Sequence, residues 1–247
     1  MGRTVNRTHR SMLEDSYYGS TAAPILNPAD LSLTGWWRGS FASVPWAGTA
    51  SAGSSGSRPL DLGTASVGSA LNSLDAASFN GTSQSLTCST VTADGFLSTT
   101  GYRLSFLVLI NSLAAPSGTI YADKGLLTES GGNWGIVANT DGVNCFHHDG
   151  AYKVAVKSIT AGAWHAVDII YNGTNLIVSV DGTAGTPVAA GTLSSITGAT
   201  FRICDNLFGS GKLGCQIEDL AVANTALATT TASAFKAYYN SRYALSL

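Results

Sequence analysis

The stretch from Trp164 to Val222 limits the fold more than any other part of the chain. Val167, Ile169 and Tyr171 recur at every second position, and so do Leu176, Val178 and Val180. A period of two marks strands with one buried face. Between the two runs stands Asn172-Gly173-Thr174, which supplies the positive φ angles a tight hairpin requires. Phe201 and Ile203 continue the pattern, and Ile217, Leu220 and Val222 close it. The step of three from Ile217 to Leu220 predicts a bulge at Glu218-Asp219.

Upstream, Tyr102, Leu104, Phe106, Val108 and Ile110 alternate with Arg103 and Ser105. Leu107 and Leu109 place apolar groups on the outer face too, so that face needs a cover, which we assign to the protein's own loops. Further strands are expected over 85–91, 119–122, 134–138, 143–147 and 152–156, separated by Gly- or Asn-rich breaks. One helix is expected over 230–242, where Ser and Thr offer N-caps and Phe235, Tyr238 and Tyr239 form an apolar stripe. By composition, the Gly/Ser stretch 47–57 could be a linker.

A chain of 247 residues fits one large all-β domain. Residues 1–30 read as an N-terminal arm and residues 31–247 as the body. The arm lacks an apolar period but carries Tyr17, Tyr18, Ile25 and Leu26 as anchors and Arg3, Arg7 and Arg10 as a basic start. Such an arm lies along a surface or frays as a free end. Apolar residues make up 45% of the chain and charged ones only 11%, against roughly 25% charged in an average globular protein. Its surface is therefore built from Ser, Thr, Asn, Gly and Ala. That suits a protein covered by neighbours or working outside the cytosol, and equally a plain Ser/Thr-rich sandwich.

The net charge of −2 supplies no basic surface for nucleic acid. No apolar run approaches the ~18–20 residues that span a bilayer, and no apolar segment of the signal-peptide kind follows Met1. Cys88, Cys145, Cys204 and Cys215 show neither a C-x-x-C pair nor zinc-finger spacing. They read as buried thiols, with Cys204 and Cys215 able to pair across neighbouring strands as the alternative.

Several of these segments occur in the order found in a known superfamily. The domain opens at Leu31-Ser32-Leu33-Thr34-Gly35-Trp36-Trp37-Arg38, and Phe79-Asn80-Gly81-Thr82 marks a turn before the next strand. Trp164-His165-Ala166-Val167, the Asn-Gly hairpin, Asp181-Gly182 and a final strand followed by a helix complete the series. Over roughly residues 33–243 the chain resembles the laminin-G-like jelly rolls of the concanavalin A-like lectin/glucanase superfamily. The resemblance implies an all-β, two-sheet antiparallel sandwich with a short C-terminal helix, and makes the 47–57 stretch a loop over one face. That fold hosts enzymes, sugar binders and structural modules alike, so it does not fix the activity.

The glycosidases among these folds need two carboxylates roughly 5–10 Å apart. They commonly set their acids as Glu-x-Asp-x-x-Glu, whereas this chain has only Glu14, Glu129 and Glu218, none in that pattern. The expectation is that the chain is not an enzyme. His147-His148-Asp149 looks metal-like, but adjacent strand residues project to opposite faces. Asp123, Asp141, Asp149, Asp181 and Asp205 sit in or beside turns, where aspartates cap backbone. No cofactor is expected, with Ca²⁺ the one ion worth considering. Among five tryptophans, Trp46 in Val44-Pro45-Trp46-Ala47-Gly48 is the candidate exposed ring for stacking on a sugar.

Two functions follow as expectations. The opening motif and the arm resemble virion proteins of tailed phages. This implies a capsid decoration protein, or a head or tail fibre, made in the host cytoplasm and attached to other virion proteins through its arm. Low charge and apolar outer positions (Leu107, Leu109, Ile177) imply a homo-oligomer. The alternative is a lectin-like module that binds polysaccharide, with neither nucleic acid nor membrane as partner.

Overall fold

The computed structural model of the protein describes residues 26–38, 41–49, 59–115, 123–205, 211–227 and 230–247. The arm residues Arg3, Arg7, Arg10, Tyr17, Tyr18 and Ile25 and the strand expected over 119–122 lie outside the described residues. The chain runs through β1 (Gly35–Trp37), β2 (Gly48–Thr49), β3 (Leu60–Thr64), β4 (Ser66–Leu71), β5 (Leu74–Asn80) and β6 (Ser85–Thr92). It continues as β7 (Tyr102–Ile110), β8 (Lys124–Glu129), β9 (Trp134–Asn139), β10 (Gly142–His148), β11 (Tyr152–Lys157) and β12 (Trp164–Tyr171). Then come β13 (Asn175–Val180), β14 (Thr183–Ala184), β15 (Val188–Ala189), β16 (Thr200–Ile203), β17 (Gly214–Ala223) and the helix α1 (Ala232–Tyr243).

These strands make two antiparallel sheets packed as a jelly-roll sandwich. The larger follows the order β14-β13-β12-β7-β17-β1-β2, with β15 beside β13 and the β4–β5 hairpin beside β17. The smaller runs β11-β10-β9-β8-β16-β6-β3. Between them the inward residues of alternate positions form one apolar core, including Leu104, Phe106, Val108, Val167, Ile169, Trp134, Ile136 and Phe201. Among the described residues no helix is long and apolar enough to cross a membrane.

The expected bulge is present: β17 shifts register against β7 between Ile217 and Asp219. It leaves Ile217 and Leu220 both in the inter-sheet core. Leu107 is fully buried on the opposite face, in a second cluster with Trp36, Ala166, Phe235, Tyr238, Tyr239 and Tyr243. Its cover is therefore the C-terminal helix and not a loop, which corrects our assignment. Thr231 caps α1 by accepting from the Ala234 amide at 3.1 Å. Phe235, Tyr238, Tyr239 and Tyr243 fall on one face at helical spacing and are buried.

A buried ion pair fixes the segment leading into that helix. Arg103 on β7 donates from Nε and Nη2 to both carboxylate oxygens of Asp168 on β12, each at 2.9 Å. Its remaining Nη1 donates to the carbonyls of Leu227 and Thr230. Burial pushes the Asp168 carboxyl up, and the guanidinium opposes that shift. The fork geometry satisfies both charges out of water. Nearby, Leu26, the one proposed arm anchor among the described residues, packs against the cluster under α1.

Candidate functional site

One end of the larger sheet carries a pocket of about 310 Å³ whose surface is mostly apolar, with a few polar groups set in it. Its walls come from Lys157 at the end of β11, Ser158, Ile159 and Thr160 after it, His165 at the start of β12, and Val180, Asp181 and Thr183 around the β13–β14 turn. Val180 pairs with Thr183, so Asp181-Gly182 is a two-residue turn, and both residues have positive φ, at 51° and 78°. This is the primed geometry that suits the twist of a hairpin, and glycine takes the second place at no steric cost.

The turn locks Asp181 onto β12. Its amide donates to the Ala166 carbonyl at 2.8 Å, and its Oδ1 accepts from the Ala166 amide at 2.9 Å. The other oxygen lies 2.7 Å from His165 Nδ1, and His165 Nε2 lies 2.8 Å from Thr160 Oγ1. A carboxylate only accepts, so Nδ1 donates to Asp181, and the second bond joins Nε2 to the threonine hydroxyl. The His165 side chain is 13% exposed and that of Asp181 27%. A hydroxyl, an imidazole and a carboxylate thus stand in line at a water-facing opening, beside the Lys157 ammonium. Such a set offers donors and acceptors in fixed directions, and its volume is at the lower end of small-ligand sites.

A second polar cluster is sealed. At the bulge, Asp219 is fully buried beneath α1 and accepts from Trp36 Nε1 at 3.0 Å, Tyr238 Oη at 3.0 Å and Tyr243 Oη at 2.9 Å. Burial raises its carboxyl to about 6 against the effect of these donors. Adjacent Glu218 is equally buried, and neither of its carboxyl oxygens has a hydrogen-bond partner. Burial, then the charges of Asp219 and Asp75, raise it to about 8. A buried carboxylic acid without partners and beside other carboxylates keeps its proton to higher pH.

The residues singled out in the sequence separate accordingly. Trp46 is only 3% exposed and belongs to the core: it meets Phe41 edge-on at 5.8 Å, and its Nε1 donates to the Arg38 carbonyl. Its ring has no free face for a sugar, because the Trp46–Leu60 bridge draws it into the sandwich. Among the described residues the exposed aromatic is instead Tyr152 on the edge strand β11, 42% accessible, with its hydroxyl donating to the Gly132 carbonyl. Nothing in the periodicity distinguishes it from a core ring.

His147 points inward between Tyr102, Tyr171 and the Gly191 carbonyl, while His148 bonds Ser194. Among the turn aspartates, Asp123 accepts from Asn139, Asp149 from the Gly191 amide, and Asp205 faces Arg202 and Lys212. Among the described residues no group of three or more His, Cys, Asp or Glu side chains is placed to hold a metal ion. Glu129 turns back to accept from the amides of Gly131, Asn133 and Trp134, which employs it in a turn.

No protein-family model and no curated protein matches the chain. Solved structures do. Domain 4 of AbnA, an extracellular arabinanase from Geobacillus stearothermophilus in complex with arabinotriose, matches 76% of this chain and 82% of that one, at 12% identity and a TM-score of 0.52. Trypanosoma rangeli sialidase matches 91% of this chain over 34% of its own length, at 12% identity and a TM-score of 0.56. The binding domain of Paraclostridial Mosquitocidal Protein 1 matches 87% and 53%, at 12% identity and a TM-score of 0.55. This chain thus spans about a third of the sialidase and half of the toxin domain. At such identities the likeness shows the β-sandwich fold alone.

Proposed function

We propose that this chain is a non-enzymatic recognition module that binds a neutral glycan in the rim pocket. The observation that carries the reading is the line Thr160–His165–Asp181, held by the Asp181-Gly182 turn and open to water. Sugar hydroxyls both donate and accept, and this pocket presents both kinds of group at fixed positions. Fold neighbours include a domain solved with arabinotriose, which supports the reading without assigning a sugar. The test is a glycan array followed by calorimetry on the hits. We expect saturable binding that falls at least about tenfold in Asp181→Asn, the loss of one well-placed polar contact, with the unfolding midpoint moved by no more than about 4 °C. An array without hits, or hits that ignore both Asp181→Asn and His165→Gln, would overturn it.

A second reading concerns where the module is carried. Leu26 packs against the apolar cluster that α1 helps to cover, so the chain enters the body on that face. The reading of a tailed-phage virion protein, fixed to its neighbours through the arm, rests on the sequence resemblance of the opening motif and on the basic residues Arg3, Arg7 and Arg10. Deleting residues 1–25 spares Leu26 and the buried Pro28. The shortened chain should stay folded and fail to join the particle. Incorporation at full occupancy would refute this reading. Self-association is retained as part of it, although α1 already covers Leu107; sedimentation across a hundredfold dilution measures it.

A further inference from the structure

The two sheets are joined late in the chain by the crossing from β16 to β17. Cys204 directly follows the first of these strands and Cys215 is the second residue of the other, so the pair bridges an inner strand of each sheet. Both are fully buried in the inter-sheet core. Their sulfurs lie 3.0 Å apart, closer than two non-bonded sulfur atoms settle and within reach of a covalent bond after a small side-chain rotation. Cys204 also holds a positive φ of 53°, while its amide donates to the Leu126 carbonyl at 2.8 Å. The backbone therefore turns at this residue and presents its side chain to Cys215. Cys88 and Cys145, by contrast, are buried on β6 and β10 with other neighbours: Cys88 meets Thr90.

We propose that Cys204 and Cys215 are a covalent modification site, joined in an oxidising setting as a disulfide that clamps the two sheets together. Of the two alternatives the sequence leaves open, the placement of the sulfurs favours the pair. The reaction is thiol–disulfide exchange with a small-molecule disulfide. One cysteine, as thiolate, attacks a sulfur of that disulfide, forming a mixed disulfide and releasing one small thiol. The second cysteine attacks the protein-side sulfur, closes the protein bond and releases the other. Two electrons and two protons pass from the protein to the released thiols, so the balance closes.

Burial keeps the Cys204 thiol well above its ordinary range, and the thiolate is the reacting form. Exchange in the finished fold is therefore slow, and the bond forms while the core is still open or during local opening. The loop it closes, 204–215, is short. In the chain-entropy picture such a crosslink still limits the unfolded state substantially.

The test uses the full chain refolded in a mixture of oxidised and reduced glutathione, then denatured and alkylated without reductant. We expect Cys88 and Cys145 to be alkylated and Cys204 and Cys215 to be protected. Proteolysis should then yield one peptide pair lighter by two hydrogens. Adding reductant to the oxidised protein should lower its melting midpoint by roughly 6–12 °C. The double substitution Cys88→Ser, Cys145→Ser should keep that shift, and Cys204→Ala, Cys215→Ala should remove it. If either variant fails to fold, the alkylation pattern of the unaltered chain decides alone. Alkylation of all four cysteines after oxidative refolding would overturn the proposal, as would a linked pair involving Cys88 or Cys145.

Discussion

The larger sheet carries two polar stations, and they use the same chemistry to opposite ends. Beneath α1, Asp219 takes three donors from Trp36, Tyr238 and Tyr243, and no water reaches it. At the rim, Asp181 holds His165, which meets Thr160, and all three face an open pocket. A buried carboxylate must spend its capacity within the fold, because an unmade bond there is costly. An exposed one trades with water and so retains capacity for a ligand. Sealing, more than residue type, separates the structural station from the binding one. Glu218 marks the boundary case, being sealed and unpartnered.

The largest expected effect comes from breaking the sealed station. Asp219→Ala leaves an indole N–H and two tyrosine hydroxyls without their acceptor under the helix. We expect a loss of roughly 3–5 kcal/mol in urea unfolding, the usual consequence of orphaning a buried polar network. Wild-type stability in this variant would mean that α1 is held by its apolar face alone.

Next in size is the pH response of Glu218. Its carboxyl is raised from 4.5 to about 8 in the folded chain, chiefly by burial and then by Asp219 and Asp75, with Arg242 opposing. The folded state thus retains a proton that the unfolded state has already released. Stability is full below about pH 4 and is lost as pH rises through about 8. Asp219, raised to about 6, adds a decline of the same sign at lower pH. Glu218→Gln cannot ionise, so it should exceed wild type at pH 9 by about 1–3 kcal/mol and flatten the profile above pH 6. Superimposable profiles for the two proteins would place the titration elsewhere.

The contrast also explains what the sequence could disclose. A period of two on the inner face made β7, β12 and β13 legible even where Leu107, Leu109 and Ile177 interrupt the outer one. The step from Ile217 to Leu220 located the bulge, and the spacing of Phe235, Tyr238 and Tyr239 located the helix. The β4–β5 hairpin was missed, since Ser66–Leu71 is mostly exposed small or aliphatic residues with no buried face to report. The rim pocket was illegible for another reason. Thr160, His165 and Asp181 converge through strand pairing, and His165 read only as a hydrogen-bonding strand start. Trp46 misled because a proline-flanked tryptophan suggests a loop, whereas tertiary packing draws this ring into the core.

The smallest stability effect, and the sharpest test of the comparison, belongs to the rim. His165 and Asp181 remain partly solvated, so their pairing should contribute no more than about 1 kcal/mol. Asp181→Asn keeps an oxygen to accept from the Ala166 amide, and the turn itself depends on backbone φ angles that asparagine also adopts. His165→Gln loses the ring but leaves β12 paired with β7 and β13. Both variants should therefore unfold within about 1 kcal/mol of wild type. A glycan hit should protect wild type against heat in proportion to ln(1 + [L]/Kd) and protect either variant distinctly less at the same concentration. A loss of 3–5 kcal/mol at the rim, matching Asp219→Ala, would show that its hydrogen bonds are consumed by the fold. The pocket would then have no bonding capacity left for a sugar.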